Sequence, residues 1–309
     1  MPDLDILVLG DANPDLVLRG GDVEPEFGQT ERLVDEGRLV AGGSGAIFAC
    51  GAARLGLSVA FVGVVGADAF GRFMLDALVE RGVDVSGCVV DQERSTGVSV
   101  ILARGDDRAI LTSRGTIADL RGSLVDRGLL RSTRHMHVSH YFLQTKLRED
   151  LPKLFDEARG AGATTSVDPN FDPAEDWNGG LRDLLAVTDI FLPNAEEARR
   201  IAAQDDVEKA CASLAERGPV VAAKLGREGG LAIEGHRVLR ASAPAVDVVD
   251  ATGAGDGFDA GFVVGRLAGL PLERCLGLAV ACGSLSARGI GGTATQPTMD
   301  EALEAVSAS

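Results

Sequence analysis

One stretch, Val248-Val-Asp-Ala-Thr-Gly-Ala-Gly-Asp-Gly-Phe-Asp-Ala-Gly-Phe262, runs from a strand end through a turn of small residues into a helix start. Small residues let successive backbone N–H groups converge on an anion at the positive end of a helix. The amides of Gly253, Ala254 and Gly255 are the candidate anion hole, and the Asp256 carboxylate beside them could take a proton from an attacking hydroxyl. The competing reading is a glycine-rich turn with Asp256 as a helix cap. Two further groups carry chemistry-bearing atoms. Asn194 and Glu197 in Phe191-Leu-Pro-Asn-Ala-Glu-Glu197 offer the hard oxygen atoms that suit Mg2+, although Asn194 could equally cap the helix that follows. His135, His137 and His140 invite a metal reading, but strand alternation places His135 and His137 on one face and His140 on the other, which argues against a three-His zinc site. Ser139 and His140 stand at a strand end, where either could touch a substrate.

These residues sit in a regular alternation of short β-branched runs with longer helical stretches, the pattern of parallel strands joined by crossover helices. Strands are expected at Ile6–Leu9, Val59–Val64, Met136–Ser139, Thr165–Asp168, Ile190–Leu192 and Val220–Lys224. Helices are expected around Ala46–Leu55, Phe70–Arg81, Arg148–Ala161, Ala195–Ala203, Val207–Arg217, Ala254–Leu267 and Leu272–Arg288. Such an α/β sheet is covered on both faces and binds ligands at the carboxyl ends of its strands. Residues 15–40 and 87–115 break the rhythm; the second contains two apolar runs flanking Arg104-Gly-Asp-Asp, a β-hairpin whose apolar face needs a cleft or a second subunit to cover it. Both read as lid elements.

The composition removes several function classes. The chain has 309 residues, of which 45% are hydrophobic, enough for a large core. With 46 acidic and 30 basic residues the net charge is −16, which repels a phosphate backbone, so no nucleic-acid partner is expected. No apolar run reaches bilayer length and the N-terminus lacks a signal pattern, so we expect a cytoplasmic protein with no membrane partner. Five scattered cysteines read as reduced thiols. A dinucleotide fold would need Gly-x-Gly-x-x-Gly after the first strand, where Gly10-Asp-Ala-Asn stands instead, and a Walker A loop is absent.

The Asp250–Asp256 string resembles the second signature of the ribokinase (PfkB) family of carbohydrate kinases, Asp-Thr-x-Gly-Ala-Gly-Asp-x-Phe, with Ala251 in place of the usual Thr. The resemblance spans nearly the whole chain. Gly10-Asp-Ala-Asn-Pro-Asp15 looks like the opening strand whose last Asp grips substrate hydroxyls, Ala41-Gly-Gly-Ser-Gly-Ala46 like the first signature, and the Asn194–Glu197 segment like the Asn-x-x-Glu motif. Thr165-Ser-Val-Asp-Pro-Asn170 looks like the Asp-x-Asn strand end of sugar and 2-keto-3-deoxygluconate kinases, though Asp172 stands where an Arg often follows. Lys224-Leu-Gly-Arg-Glu-Gly-Gly230 resembles the border of the nucleotide, and Leu285–Pro297 the adenine-side loop. Gly292 and Thr295 replace an Ala and a Ser of that loop, which puts monovalent-cation activation, common in the family, in question.

The resemblance implies a ribokinase-like three-layer α/β/α sandwich with a mostly parallel central sheet and a small β-sheet lid, one kinase domain over residues 1–309. It implies ATP and Mg2+ as cofactors and a small sugar or polyol as partner. Asp256 becomes the base beside the Gly253, Ala254 and Gly255 amides; Asp15, Gly42, Gly43, Asp168 and Asp250 border the substrate. Asn194, Lys224, Gly226, Gly229 and Gly291 border the nucleotide, with Asn194 and Glu197 organising the metal. Ile47 stands where the first signature has an Asn that bonds sugar hydroxyls, so it either lines the pocket with an apolar face or packs in the core. A nucleoside kinase would want base-stacking aromatics in the lid, which offers only Phe27; a sugar-sensing module of the same fold would not need Asp256, Asn194 and Glu197. No basic cluster near Asp15 awaits a sugar phosphate, and the hairpin edge suggests a homodimer formed through the lid.

Overall fold

In a computed structural model that describes residues 4–104 and 107–307, nine strands form one twisted sheet. Their order is Arg237–Ala241, Gly230–Glu234, Val220–Lys224, Ile190–Phe191, Thr164–Val167, Thr133–Val138, Leu4–Leu9, Val59–Val62 and Val83–Asp84. All neighbours are parallel except the two pairings at the Arg237–Ala241 edge. All six expected strands are therefore present. The expected Val59–Val64 run is divided at Gly63, because Val64–Gly66 leaves the sheet and pairs instead with Val89–Asp91.

Alternation along the strands sends side chains to two separate cores. Ile6 and Val8 join one with Phe48, Met74, Phe262 and Leu276; Leu7 and Leu9 join the other with Leu130, Leu154, Leu181 and Cys211. The first core lies under helices Ser44–Arg54, Ala69–Glu80, Ala254–Leu267 and Leu272–Ser286, and the second under Leu151–Gly160, Ala195–Ala202 and Val207–Ala215. This is the expected three-layer sandwich. Three α-helices went unexpected, Arg127–Ser132, the single turn Leu181–Leu184 and Met299–Ser307. The last starts on the capping pair Thr298 and Glu301, each of whose side chains accepts the other's backbone N–H.

Both irregular segments supply the second sheet. Strands Glu36–Gly42, Asn13–Arg19, Val98–Arg104 and Asp107–Ser113 lie in that order, with an antiparallel pair at each side and a parallel pair in the middle. The hairpin turn expected at Arg104–Asp107 includes Gly105 and Asp106, which lie outside the described residues. Register puts Asp15, Ser99, Thr112 and Arg108 on one face of this sheet and Leu16, Leu39, Val100 and Leu111 on the other. The strand Asn13–Arg19 begins four residues after the first strand of the main sheet, so the lid hangs directly from the carboxyl edge.

A polar thread crosses the first core. His135 and His137 share a face, as alternation requires: Ser166 Oγ lies 2.7 Å from His135 Nε2 and 2.7 Å from His137 Nδ1, and Ser139 Oγ 2.7 Å from His137 Nε2. The His137 ring stacks on Phe48 at 3.7 Å. Both rings are fully buried, and burial pushes His135 down to about 3 and His137 well below the ordinary value. They stay neutral in the fold but take up protons in the unfolded chain below pH 6.5, so stability falls as pH drops through that value, by about 1.4 kcal/mol per pH unit per ring. A His135→Gln/His137→Gln variant is expected to lose less stability than the parent between pH 6.5 and 5 in urea titrations. Parallel slopes for the two proteins would contradict this reading.

Candidate active site

The carboxyl ends of the parallel strands bring the motifs together. Lys224 ends its strand, and its ammonium lies 3.0 Å from Asp259 Oδ2 and 3.4 Å from Asp168 Oδ1. Asp168 follows the strand Thr164–Val167; Asp256 and Asp259 lie three residues apart on the first turn and a half of helix Ala254–Leu267. Each of Asp168, Asp256 and Asp259 offers a carboxylate oxygen within 4.8 Å of the others, all buried. Burial works against the lysine charge, but Asp168, Asp259 and Glu197 outweigh it and hold the ammonium well above the usual lysine range. One ammonium thus faces three carboxylates.

The consequence falls on Asp256. Burial, then repulsion from Asp168, raises its pKa to about 8, with Lys224 pulling in the opposite direction, Asp11 adding repulsion and a Ser44 hydrogen bond favouring the charge. Ser44 also accepts from Asn170 Nδ2 at 2.6 Å, tying the start of helix Ser44–Arg54 to the strand end that carries Asp168. The helix N-terminus beside Asp256 is opened by Gly253 at φ 74°, in the left-handed region. Of the three amides expected in the anion hole, Ala254 is the exception: its N–H turns back to the Ala251 carbonyl at 3.2 Å. Those of Gly253 and Gly255 make no hydrogen bond among the described residues.

Asp15 lies across the cleft on the lid strand, buried, with Asn13 Nδ2 donating to it at 3.3 Å. Its carboxylate occupies the space beside Gly42, where a Cβ would stand 2.2 Å from Asp15 Cγ. Gly43, at φ 83°, passes the Asp11 carbonyl so closely that a Cβ would meet it at 2.8 Å. Burial, then the charges of Asp11 and Asp250, raises the Asp15 pKa to about 7. Asp250 is held by Thr252 through its amide at 2.9 Å and hydroxyl at 2.7 Å, and by the Gly291 amide at 2.9 Å. From the lid, Arg108 reaches Thr252 Oγ1 at 3.4 Å, bridging lid and anion-hole loop.

Asn194 and Glu197 form a reciprocal cap on helix Ala195–Ala202, so the capping alternative holds whatever else they do. Glu197 is buried, and burial followed by Asp168 raises its pKa to about 7. Gly226, at φ 59°, borders open space, whereas a Cβ on Gly229 would stand 2.0 Å from the Ala241 carbonyl and one on Gly291 2.8 Å from Val40. Three residues near this cluster escaped the sequence reading: Asp11, Ser44 and Asp259. Asp259 alone carried a visible signal, its spacing of three from Asp256.

Ile47 takes the packing alternative. It is 3% exposed, and a Cβ built on Gly292 would lie 2.4 Å from its Cδ1. A Cβ on Gly253 would meet Gly292 Cα at 2.4 Å and Ile47 Cγ2 at 3.0 Å. The branched side chain therefore fills the room that Gly292 vacates, beneath the anion-hole turn, instead of presenting an apolar wall to the cleft. Gly292→Ala should destabilise the protein by about 1–3 kcal/mol through overpacking, and Ile47→Val in that background should recover most of the loss. Urea denaturation of the two variants checks this; an unchanged midpoint for Gly292→Ala would refute it.

The chain matches the model of the pfkB family carbohydrate kinases over residues 3–299. It is 32% identical over 310 residues to a fructokinase of Salmonella typhimurium, covering 94% of this chain and 96% of that one. It is 30% identical over 299 residues to an ATP-dependent ribose-1-phosphate kinase of Halopiger xanaduensis, covering 96% and 95%. The structure of Arabidopsis thaliana ribokinase complexed with ribose and ATP superposes with a TM-score of 0.83 at 26% identity over 98% of both chains. With a buried acid at the head of a helix, two unengaged amides beside it and a lid sheet across the cleft, the chain belongs to the pfkB family of carbohydrate kinases.

Proposed function

We propose that this chain performs its family's reaction, transfer of the γ-phosphoryl group of ATP to a hydroxyl of a small sugar, with Asp256 as the base. The observation that carries the assignment of roles is the placement of Asp256. Its carboxylate is buried with Asp168 beside it, which makes it a proton acceptor of raised affinity next to the Gly253 and Gly255 amides. Asp256 takes the proton of the attacking hydroxyl; the two amides and the helix N-terminus stabilise charge on the phosphoryl oxygens in flight. Asp15 and Asp250 orient the acceptor by accepting from its other hydroxyls.

Asp168, Asp256 and Asp259 each offer a carboxylate oxygen within 4.8 Å of the others, and Asp259 Oδ1 is buried without a partner among the described residues, an all-oxygen set that fits Mg2+. Asp259 would hold that ion, with Asn194 and Glu197 organising its waters, and when bound it would neutralise phosphate charge. Lys224, Gly226, Gly229 and Gly291 border the nucleotide side. ATP use and five unpaired cysteines support a cytoplasmic location.

The Asp256→Asn variant should lose turnover on the order of 10²–10⁴-fold while ATP affinity stays within about twofold. It should also be the more stable protein at alkaline pH. A carboxyl whose folded pKa is raised to about 8 binds its proton more tightly in the fold, so its contribution is fully favourable below the unfolded value of 3.8 and is lost as pH rises through 8. Asparagine escapes that loss, worth about 1–2 kcal/mol. Near-normal turnover, or a melting temperature at pH 8 below the parent's, would count against the role.

The outer face of the lid supports a homodimer. Leu39 and Leu111 are 43% and 61% exposed and share a face with Leu16 and Val100, an apolar surface on which a second lid could pack. Light scattering should find twice the mass of one chain for the parent and one chain for Leu39→Asp/Leu111→Asp. A monomeric parent would exclude the lid dimer.

A further inference from the structure

A cavity of about 560 Å3 lies between the segment 121–127 and the start of helix Leu151–Gly160, and it shares no lining residue with the cleft. Arg121, Arg127, Lys146 and Lys153 line it, with Glu149 and Asp150 as the acids in its wall. Two of the four cations are engaged. Arg127 donates to the Gly122 carbonyl at 3.3 Å and lies 3.2 Å from Glu157 Oε2, and Lys146 pairs with Asp119. The Arg121 guanidinium and the Lys153 ammonium, both exposed, make no hydrogen bond or ion pair among the described residues.

The acids of the cavity do not answer these two charges. Asp150 heads helix Leu151–Gly160 but makes no capping bond there; its Oδ2 accepts instead from the Gly122 amide at 2.8 Å. Its side chain fills the space over that glycine, where a Cβ would stand 2.6 Å from Asp150 Cβ. The Lys153 amide is left without a hydrogen bond among the described residues, so Lys153 brings a backbone donor at the positive end of a ten-residue helix as well as its ammonium. Glu149 stands one turn before Lys153 and does not pair with it. The engaged lysine ties the cavity to the lid. Asp119, the partner of Lys146, also accepts from Arg94 Nη1 at 2.8 Å, and Arg94 Nη2 donates to the Gly115 carbonyl at 2.8 Å. Arg94 and Gly115 flank the hairpin Val98–Ser113 on its two sides, so the cavity sits at the roots of the lid.

We propose that this cavity is a second ligand site, separate from the cleft, for a small hydroxylated phosphate ester. Arg121 and Lys153 receive the phosphate; the Glu149 carboxylate and the Thr145 hydroxyl, in the same wall, bond the hydroxyls. The site goes beyond the phosphoryl transfer and does not depend on it. A phosphate dianion suits a free guanidinium fork and an ammonium arriving from two segments. The cavity volume falls within the roughly 300–1,000 Å3 of small-molecule sites. Glu149 and Asp150 select against a ligand that carries several carboxylates, because each would meet a like charge, whereas a hydroxyl donates to them. A polymeric anion is repelled by the net charge of −16.

The test uses the full chain saturated with Mg2+ and a non-hydrolysable ATP analogue, and calorimetry at low salt with glycerol 3-phosphate, inorganic phosphate, citrate and glycerol as probes. Glycerol 3-phosphate should bind the parent more tightly than the other three, with an affinity that falls as salt is raised. Arg121→Ala/Lys153→Ala should bind it roughly 10- to 100-fold more weakly, the range of hydrogen bonds from charged donors. The same variant should melt within about 2 °C of the parent, because neither side chain has a partner to lose, and should hold the ATP analogue within about twofold. Equal affinity of parent and variant for glycerol 3-phosphate would put the phosphate elsewhere and overturn the proposal. So would no binding by the parent, or tighter binding of citrate or inorganic phosphate. A variant melting several degrees lower would show the two cations to be paired in the fold, and would overturn it as well.

Discussion

The Lys224 ammonium is the contact on which the site depends. It is the positive charge that two buried aspartates, Asp168 and Asp259, reach directly, and Asp256 stands beside them with no cation of its own within hydrogen-bond range among the described residues. Three carboxylates cannot be buried together without such a counter-charge. Because one ammonium cannot satisfy three acids, burial and mutual repulsion raise the proton affinity of both Asp259 and Asp256, and Asp256 is the one that no cation touches among the described residues. That imbalance is what turns a packed ion cluster into a candidate base. The lysine is itself fixed by the sheet: its amide donates to the Pro193 carbonyl, so the strand it ends is locked to the start of the Asn194–Glu197 cap.

Glycines let the surrounding loops close on this cluster. The Gly42, Gly43, Gly253 and Gly292 positions each meet backbone or side chain at distances no Cβ could tolerate, and each does so where two motifs from distant parts of the chain touch. Asp15 fills the space over Gly42, and Ile47 fills the space over Gly292. The lid is joined to the body through the same contacts, since Asp15 belongs to a lid strand and Arg108 reaches from the lid hairpin to Thr252. The lid is thereby linked to the Thr252–Gly255 turn. Beneath them, the His135–Ser166–His137–Ser139 thread satisfies buried polar groups inside an otherwise apolar layer.

Much of this was legible in the sequence where the signal is local. Strand alternation located the six parallel strands, and it placed His135 and His137 on one face, because periodicity depends only on near neighbours. The Asp250–Asp256 stretch was readable as a small-residue turn opening a helix for the same reason. What escaped depends on partners far apart in sequence. Asp259 gains its meaning from Lys224; Ile47 could be read as lining the pocket, whereas Gly292, from the other end of the chain, makes room for it. The Ala254 amide was misjudged for a different reason: a turn tight enough to start the helix uses one of its own N–H groups to close. Gly63 divided an apparently continuous strand because the chain there must pass from the main sheet to the short Val64–Gly66 pairing.

If one ammonium holds this cluster together, replacing it should be felt in both stability and its dependence on pH. Lys224→Met keeps most of the side-chain volume and removes the charge, leaving Asp168 and Asp259 buried with each other. The most direct measurement is the unfolding free energy of this variant against the parent in urea at pH 8 and pH 5. We expect a loss of about 3–5 kcal/mol at pH 8, shrinking at pH 5 as the uncompensated carboxylates take up protons. A loss below about 1 kcal/mol, or one equal at both pH values, would contradict the view that Lys224 is the charge around which the site is built.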